Sequence, residues 1–118
     1  MEHTFDFEKL EVYSRAIKFI NDVFTISDKF PIKIQYSLGD QIRRAALSIA
    51  NNIAEGSDKR FKDKIKFYEY SLNSARECIP MLTIAKEQKL FDETKFHTLR
   101  NDCVVICKML RNLIRSVL

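Results

Sequence analysis

Ser37-Leu38-Gly39-Asp40-Gln41-Ile42-Arg43-Arg44-Ala45-Ala46-Leu47-Ser48-Ile49-Ala50-Asn51-Asn52-Ile53-Ala54-Glu55-Gly56 reads as one amphipathic helix with an unusual number of occupied faces. Leu38, Ile42, Ala45, Ile49 and Ile53 recur at steps of three and four and form an apolar stripe. Ala46, Ala50 and Ala54 lie beside that stripe at four-residue steps, and small residues in a row let a second helix come close. Gln41, Arg44, Ser48, Asn52 and Glu55 share a polar stripe on the other flank. Asp40, Arg43, Leu47 and Asn51 fill the remaining sector, the natural solvent side. The helix is expected from Tyr36 or Ser37 to Glu55. Ser37 is the expected N-cap, and Gly56 is expected to end the helix as a residue tolerant of positive φ.

Upstream, Leu10, Tyr13, Ile17, Ile20 and Phe24 predict a first helix over 7–28, closed off by Pro31. Downstream, Phe61, Ile65, Tyr68, Leu72, Ala75, Ile79, Leu82 and Ala85 predict a third helix running from after Asp58 to near Lys89. Pro80 falls inside it, and a kink is expected there rather than a break, because the apolar period continues through it. Asp92 is a good N-cap for a fourth helix reaching Ser116, marked by Phe96, Leu99, Cys103, Ile106, Leu110, Leu113 and Val117. Short connections make successive helices antiparallel neighbours. The expected fold is all-α: an up-down-up-down antiparallel four-helix bundle, kinked near Pro80, in one domain over 1–118.

Composition agrees. The 118 residues include only two Gly and two Pro, too few for an all-β domain with its frequent turns or for a Pro-rich disordered chain. The formal net charge is +4, and its excess lies in the second half of the chain. No apolar stretch approaches the roughly 20 residues of a membrane span, and no secretory signal opens the chain. A reducing cytoplasm is the expected compartment, with Cys78, Cys103 and Cys107 as free, buried thiols.

The run from Gln41 to Gly56, with Asn52-Ile53-Ala54-Glu55-Gly56 as its most specific part, resembles the signature of the four-helix-bundle 23S ribosomal RNA intervening-sequence proteins. Phe7-Glu8-Lys9-Leu10-Glu11-Val12-Tyr13 and Ser74-Ala75-Arg76-Glu77 are similar to that family in the expected order. The family is in turn similar to the accessory variability determinant of diversity-generating retroelements. The resemblance implies a bacterial helical bundle, often a ring-shaped homopentamer, with relatives that bind nucleic acid and partner a reverse transcriptase. It marks Gln41, Arg44, Ser48, Asn52, Glu55 and Gly56 as motif residues for a site or subunit contact. Leu72-Asn73-Ser74 stands where many relatives have Ala-Gly-Ser, and Pro80 is a second departure.

Two basic segments are candidates for phosphate binding: Lys59, Arg60, Lys62, Lys64 and Lys66, and the helical stripe Lys108, Arg111 and Arg115. Such residues neutralise RNA or DNA phosphates without reading sequence. Phe61, Phe67, Tyr68 and Tyr70 interleave with the first segment. Cys78 and Cys103 fall at similar heights on neighbouring helices, with Cys107 one turn away, but His97 and His3 lie too far off to complete a metal site. No Gly-rich phosphate loop, nucleophile elbow or His-Glu-x-x-His pair is present, so neither catalysis nor a cofactor is expected. The expected function is a non-catalytic homo-oligomer that binds nucleic acid. The alternative is a protein-interaction scaffold with no nucleic-acid role.

Overall fold

The computed structural model describes residues 2–118. Four long helices carry it: α1 (Glu11–Ser27), α2 (Asp40–Ser57), α3 (Phe61–Glu87) and α4 (Glu93–Val117). A 3-10 turn at Asp6–Lys9 leads into α1. Among the described residues there is no strand. The helices pack in the order α1, α2, α3, α4 around a closed square, with α4 returning to α1. One apolar core draws on all four and includes Phe19, Val23, Ile42, Ile49, Ile53, Leu82, Leu99, Ile106 and Leu110. This is the expected four-helix bundle.

The tightest seam lies between α2 and α3. Ser71 is fully buried there, and its hydroxyl donates to the Ile49 carbonyl at 2.7 Å. Ser74 donates to Ser48 Oγ at 2.9 Å, and the Asn52 amide donates to Ser48 Oγ and to the Ser48 carbonyl, both at 2.9 Å. A buried polar group without a partner is costly, so these short side chains are paired where the helices meet. Gly56 completes the seam. A Cβ there would lie 3.0 Å from Phe67 Cβ and from two ring carbons of Tyr68. The helix runs on to Ser57, and no glycine among the described residues has positive φ. Gly56 is therefore not the expected terminator. It is glycine because α3 passes against it.

The start of α2 also differs from expectation. The chain re-enters helix at Ile32, directly after Pro31, and passes through a π-helical turn at Gln35–Gly39. Ser37 is not an N-cap; its hydroxyl donates back to the Ile34 carbonyl at 3.3 Å. The turn is held by Arg43, which is not the solvent-side residue that helical phase suggests. Its guanidinium donates to Ser27 Oγ (3.0 Å), Gln35 Oε1 (3.1 Å), the Gln35 carbonyl (2.9 Å) and Asp40 Oδ1 (3.0 Å). Gln35 in turn donates its amide to the carbonyls of Ser27 (2.7 Å) and Phe30 (2.9 Å). These bonds occupy carbonyls that the end of α1 leaves open.

Phase differs most in α1. Its buried face is Val12, Ala16, Phe19, Ile20, Val23, Ile26 and Ser27. Ile20 alone of the expected stripe is buried; Leu10 and Tyr13 are half-buried, while Ile17 and Phe24 are exposed at 37% and 40%. In α3 the core face is Tyr68, Ser71, Ala75, Cys78, Leu82 and Ala85, and Phe61 is exposed. The helix passes through Pro80 without interruption. Pro80 sits on the exposed side, where the carbonyl it cannot serve faces water. In α4, Asp92 caps as expected, accepting from the Lys95 N–H at 2.8 Å.

The three cysteines meet between α3 and α4, all buried and free. The Cys103 thiol lies 2.9 Å from the Ala75 carbonyl, and Cys78 bonds the Ser74 carbonyl at 3.4 Å. A hydrogen bond with Cys107 pulls the Cys103 thiol down. The hydrogen bond with Cys78, burial and the proximity of Cys78 outweigh it, and the net effect pushes Cys103 up to about 12. Its bond to Cys103, followed by burial, pushes the Cys107 thiol up as well.

Three outcomes are expected. Gly56→Ala lowers stability, although Ala normally gains about 1 kcal/mol over Gly inside a helix. Overpacking of roughly 1–3 kcal/mol outweighs that gain. Calorimetry should show Tm several degrees lower, and an unchanged Tm would mean that α3 retreats freely. The thiols should resist alkylation at pH 8 in the native protein and react fully in guanidinium. Because the fold favours the neutral thiols, the stability tied to Cys103 is intact below its ordinary value of 9.0 and is lost as pH rises from there toward about 12. Flat stability across that range, read by urea midpoints, would contradict this.

Candidate nucleic-acid interface

The up-down topology decides where the basic residues stand. The connection from α2 to α3 lies at the end of the bundle where α4 finishes. Lys59, Arg60, Lys62, Lys64 and Lys66 are therefore at the same end as Lys108, Arg111 and Arg115. All of these except Lys59 and Lys64 are exposed.

The first segment is not uniformly available. Lys64 Nζ donates to the Ser57 carbonyl at 3.1 Å, closing the C-terminus of α2, where a cation also suits the helix dipole. It lies 5.9 Å from the centre of the Tyr68 ring. Lys59 pairs with Glu55 at 3.6 Å and lies 5.9 Å from the Phe67 ring centre. Arg60 and Lys62 keep their charge toward water, and Lys66, also exposed, lies 5.4 Å from the Phe67 ring centre. Phe61, between the first two, has φ 46° and is 75% exposed. Positive φ is uncommon for a residue with a bulky side chain.

In the second segment, Lys108, Arg111 and Arg115 follow one face of α4, and Arg115 donates to Asn112 Oδ1 at 3.3 Å. Sequence reading missed two participants. Arg76 of α3 and Arg111 of α4 both lie near the Cys107 thiol, and Arg100 lies near Cys103. Arginines from both helices thus border the α3–α4 seam. The signal was available in the equal heights of Cys78 and Cys103 about the Leu90 turn, which set Arg76 level with Val104, between Arg100 and Lys108 on α4.

The motif residues divide. Ser48, Asn52 and Gly56 belong to the α2–α3 seam. Gln41, Arg44 and Glu55 remain exposed. Gln41 and Arg44 line a shallow depression with Ser48, Ser74, Glu77 and Met81. On the opposite flank of α2, an apolar groove of about 330 Å³ runs between α1 and α2. Phe7, Tyr13, Ile17, Leu47, Ala50 and Ala54 line it. Among the described residues, no group of three or more His, Cys, Asp or Glu side chains is arranged to hold a metal ion. No described helix is long and apolar enough to cross a membrane.

Residues 8–112 match the model of the 23S rRNA-intervening sequence protein family. A search of proteins with curated functions finds no match. The fold is similar to the crystal structure of a protein with unknown function from the S23 ribosomal protein family of Bacteroides thetaiotaomicron. That likeness has a TM-score of 0.79 and 23% sequence identity, covering 88% of this chain and 95% of the other. The family match runs through all four helices and contains the α2 stretch with its Asn-Ile-Ala-Glu-Gly segment: the chain belongs to the 23S rRNA-intervening sequence protein family.

Proposed function

We propose that the protein is a non-catalytic nucleic-acid-binding module that acts as a homo-oligomer, with a pentamer as the form its family resemblance suggests. The observation that carries the binding half is the collection of both basic segments at one end of the bundle, interspersed there with Asp6, Glu55 and Asp58, while Arg76 and Arg100 continue the basic face along α3 and α4 toward the other end. Contacts of this kind neutralise phosphates and set no base preference. Repeated subunits multiply the effect through effective concentration. Membership of a family named for an rRNA intervening sequence is consistent with a nucleic-acid ligand. A reverse transcriptase is the protein partner the retroelement resemblance suggests.

Self-association is supported by the face of α1 that the core leaves unused. Ile17, Phe24 and Leu47 are exposed on or beside the α1–α2 groove. Contiguous exposed apolar surface is the usual mark of a contact. A groove on one flank meeting a different face of the next copy makes a heterologous interface, which closes into a ring when the rotation allows.

Affinity for a short RNA or DNA strand should fall steeply between about 50 and 200 mM salt, with a log–log slope that counts the phosphates engaged. Charge reversal of Lys108, Arg111 and Arg115 to Glu should weaken binding at least tenfold and flatten that slope. Absence of binding at low salt to either nucleic acid ends the proposal and leaves the scaffold reading. In light scattering, the wild type should exceed monomer mass, and Ile17→Glu with Leu47→Glu should reduce it to monomer with unchanged helicity. A monomeric wild type would refute the oligomer.

A further inference from the structure

One part of the basic end is more than a set of charges. Tyr70 stands on α3 with 47% of its surface exposed, one turn beyond Lys66. Its ring meets Phe67 edge to face, with centres 5.7 Å apart and planes at 89°. Two ammonium groups sit over that same Phe67 ring, Lys66 Nζ at 5.4 Å and Lys59 Nζ at 5.9 Å. Phe67 is wedged at its base against Gly56, since its Cβ occupies the space a side chain there would need. The half-buried Phe67 is thus fixed to the α2–α3 seam, and its edge contact braces Tyr70. Tyr70 forms no other aromatic pair among the described residues, and nearly half of its surface meets water. Three carboxylates share the neighbourhood: Glu55, already paired with Lys59 at 3.6 Å; Asp63, the one acid between Lys59 and Lys66; and the exposed Glu69, which directly precedes Tyr70.

We infer that Tyr70, backed by Phe67 and flanked by Lys59 and Lys66, is a base-stacking platform that makes the protein prefer single-stranded to duplex nucleic acid. The inference rests on the binding reading above and adds to it the class of strand. Duplex and single strand both offer phosphates to lysine. Only an unpaired base offers a free π-face to a tyrosine ring. The braced ring has little freedom to lose on stacking, and the two ammonium groups stand where the phosphates flanking that base would pass. Every base has such a face, so the preference is for strandedness and not for sequence.

The chain contains no Trp, so Tyr70→Trp places a single reporter at the platform. Its emission should be quenched by a 20-nucleotide single strand, RNA or DNA, and far less by the duplex of the same sequence at the same low salt. Tyr70→Ala should weaken single-strand binding by about tenfold, the size of one lost base–aromatic stack. It should leave duplex affinity unchanged. Tyr36→Ala, an exposed tyrosine at the opposite end of the bundle, should alter neither affinity. Equal losses for single strand and duplex in Tyr70→Ala, or unmoved Trp emission at saturating single strand, would overturn the platform while the electrostatic reading survives. Failure of the wild type to bind any strand at low salt removes both.

Discussion

The close approach of α2 to α3 is the constraint from which the rest of the bundle takes its geometry. Two helices come together this tightly only where their facing side chains are short, and here those are Gly56, Ser48, Ser71, Ser74 and Ala75. Short side chains that carry hydroxyls bring a second requirement, because each must find a partner once water is excluded. The seam meets it by bonding Ser71 to the Ile49 backbone and Ser74 to Ser48, with Asn52 turned back onto Ser48. With α3 fixed against α2, α4 packs on the next face of α3 and α1 closes the square. Half of the motif residues, Ser48, Asn52 and Gly56, thus describe this seam, while Gln41, Arg44 and Glu55 stay exposed.

The number and order of helices were legible because the chain punctuates them sharply. Pro31, the Ser57-Asp58 step and Asp92 each interrupt an apolar period, and each lies at a real boundary. The phase of α1 was not legible, because that helix has two apolar stripes. One holds Leu10, Tyr13, Ile17 and Phe24; the other holds Val12, Ala16, Phe19, Val23 and Ile26, and Ile20 joins the second. Periodicity weighs both alike, and the choice is made by Ala16 and Ser27, whose small size allows the neighbouring helices to close in. Arg43 was illegible for a different reason. Its helical position says solvent, and only the arrival of Ser27 and Gln35 from the preceding connection draws it in. Gly56 looked like a terminator because glycine serves both purposes, and the two are told apart only by what lies across from it.

The candidate sites were legible as charge and not as arrangement. Sequence marks Lys59 to Lys66 as one cluster, yet Lys64 is engaged with the end of α2 and Lys59 with Glu55. The stripe on α4 is extended by Arg76 and Arg100. The end reached by Asp28, Lys29, Lys33, Lys89, Asp92, Glu93 and Lys95 mixes both signs. The end with the two basic segments also carries Asp6, Glu8, Glu11, Glu55 and Asp58, so both ends mix signs and the basic residues form patches on a mixed surface. Among the described residues the fully buried side chains are apolar groups, thiols and the paired hydroxyls of Ser27 and Ser71.

The π-helical turn at Gln35–Gly39 has a consequence for how this fold changes over generations. A π turn carries one residue more than the α turn it replaces, so it rotates everything before it by about 100° relative to everything after it. The core register of α2 begins after the turn, and the lead-in from Ile32 lies ahead of it. A deletion or insertion in this short stretch alters which side of Ile34 and Tyr36 meets the bundle and leaves Ile42, Ile49 and Ile53 where they were. The turn works as a shim between two blocks of sequence. A single-residue change in the α1–α2 connection keeps the four-helix core in register only where Gln35 still reaches Arg43 and the α1 carbonyls.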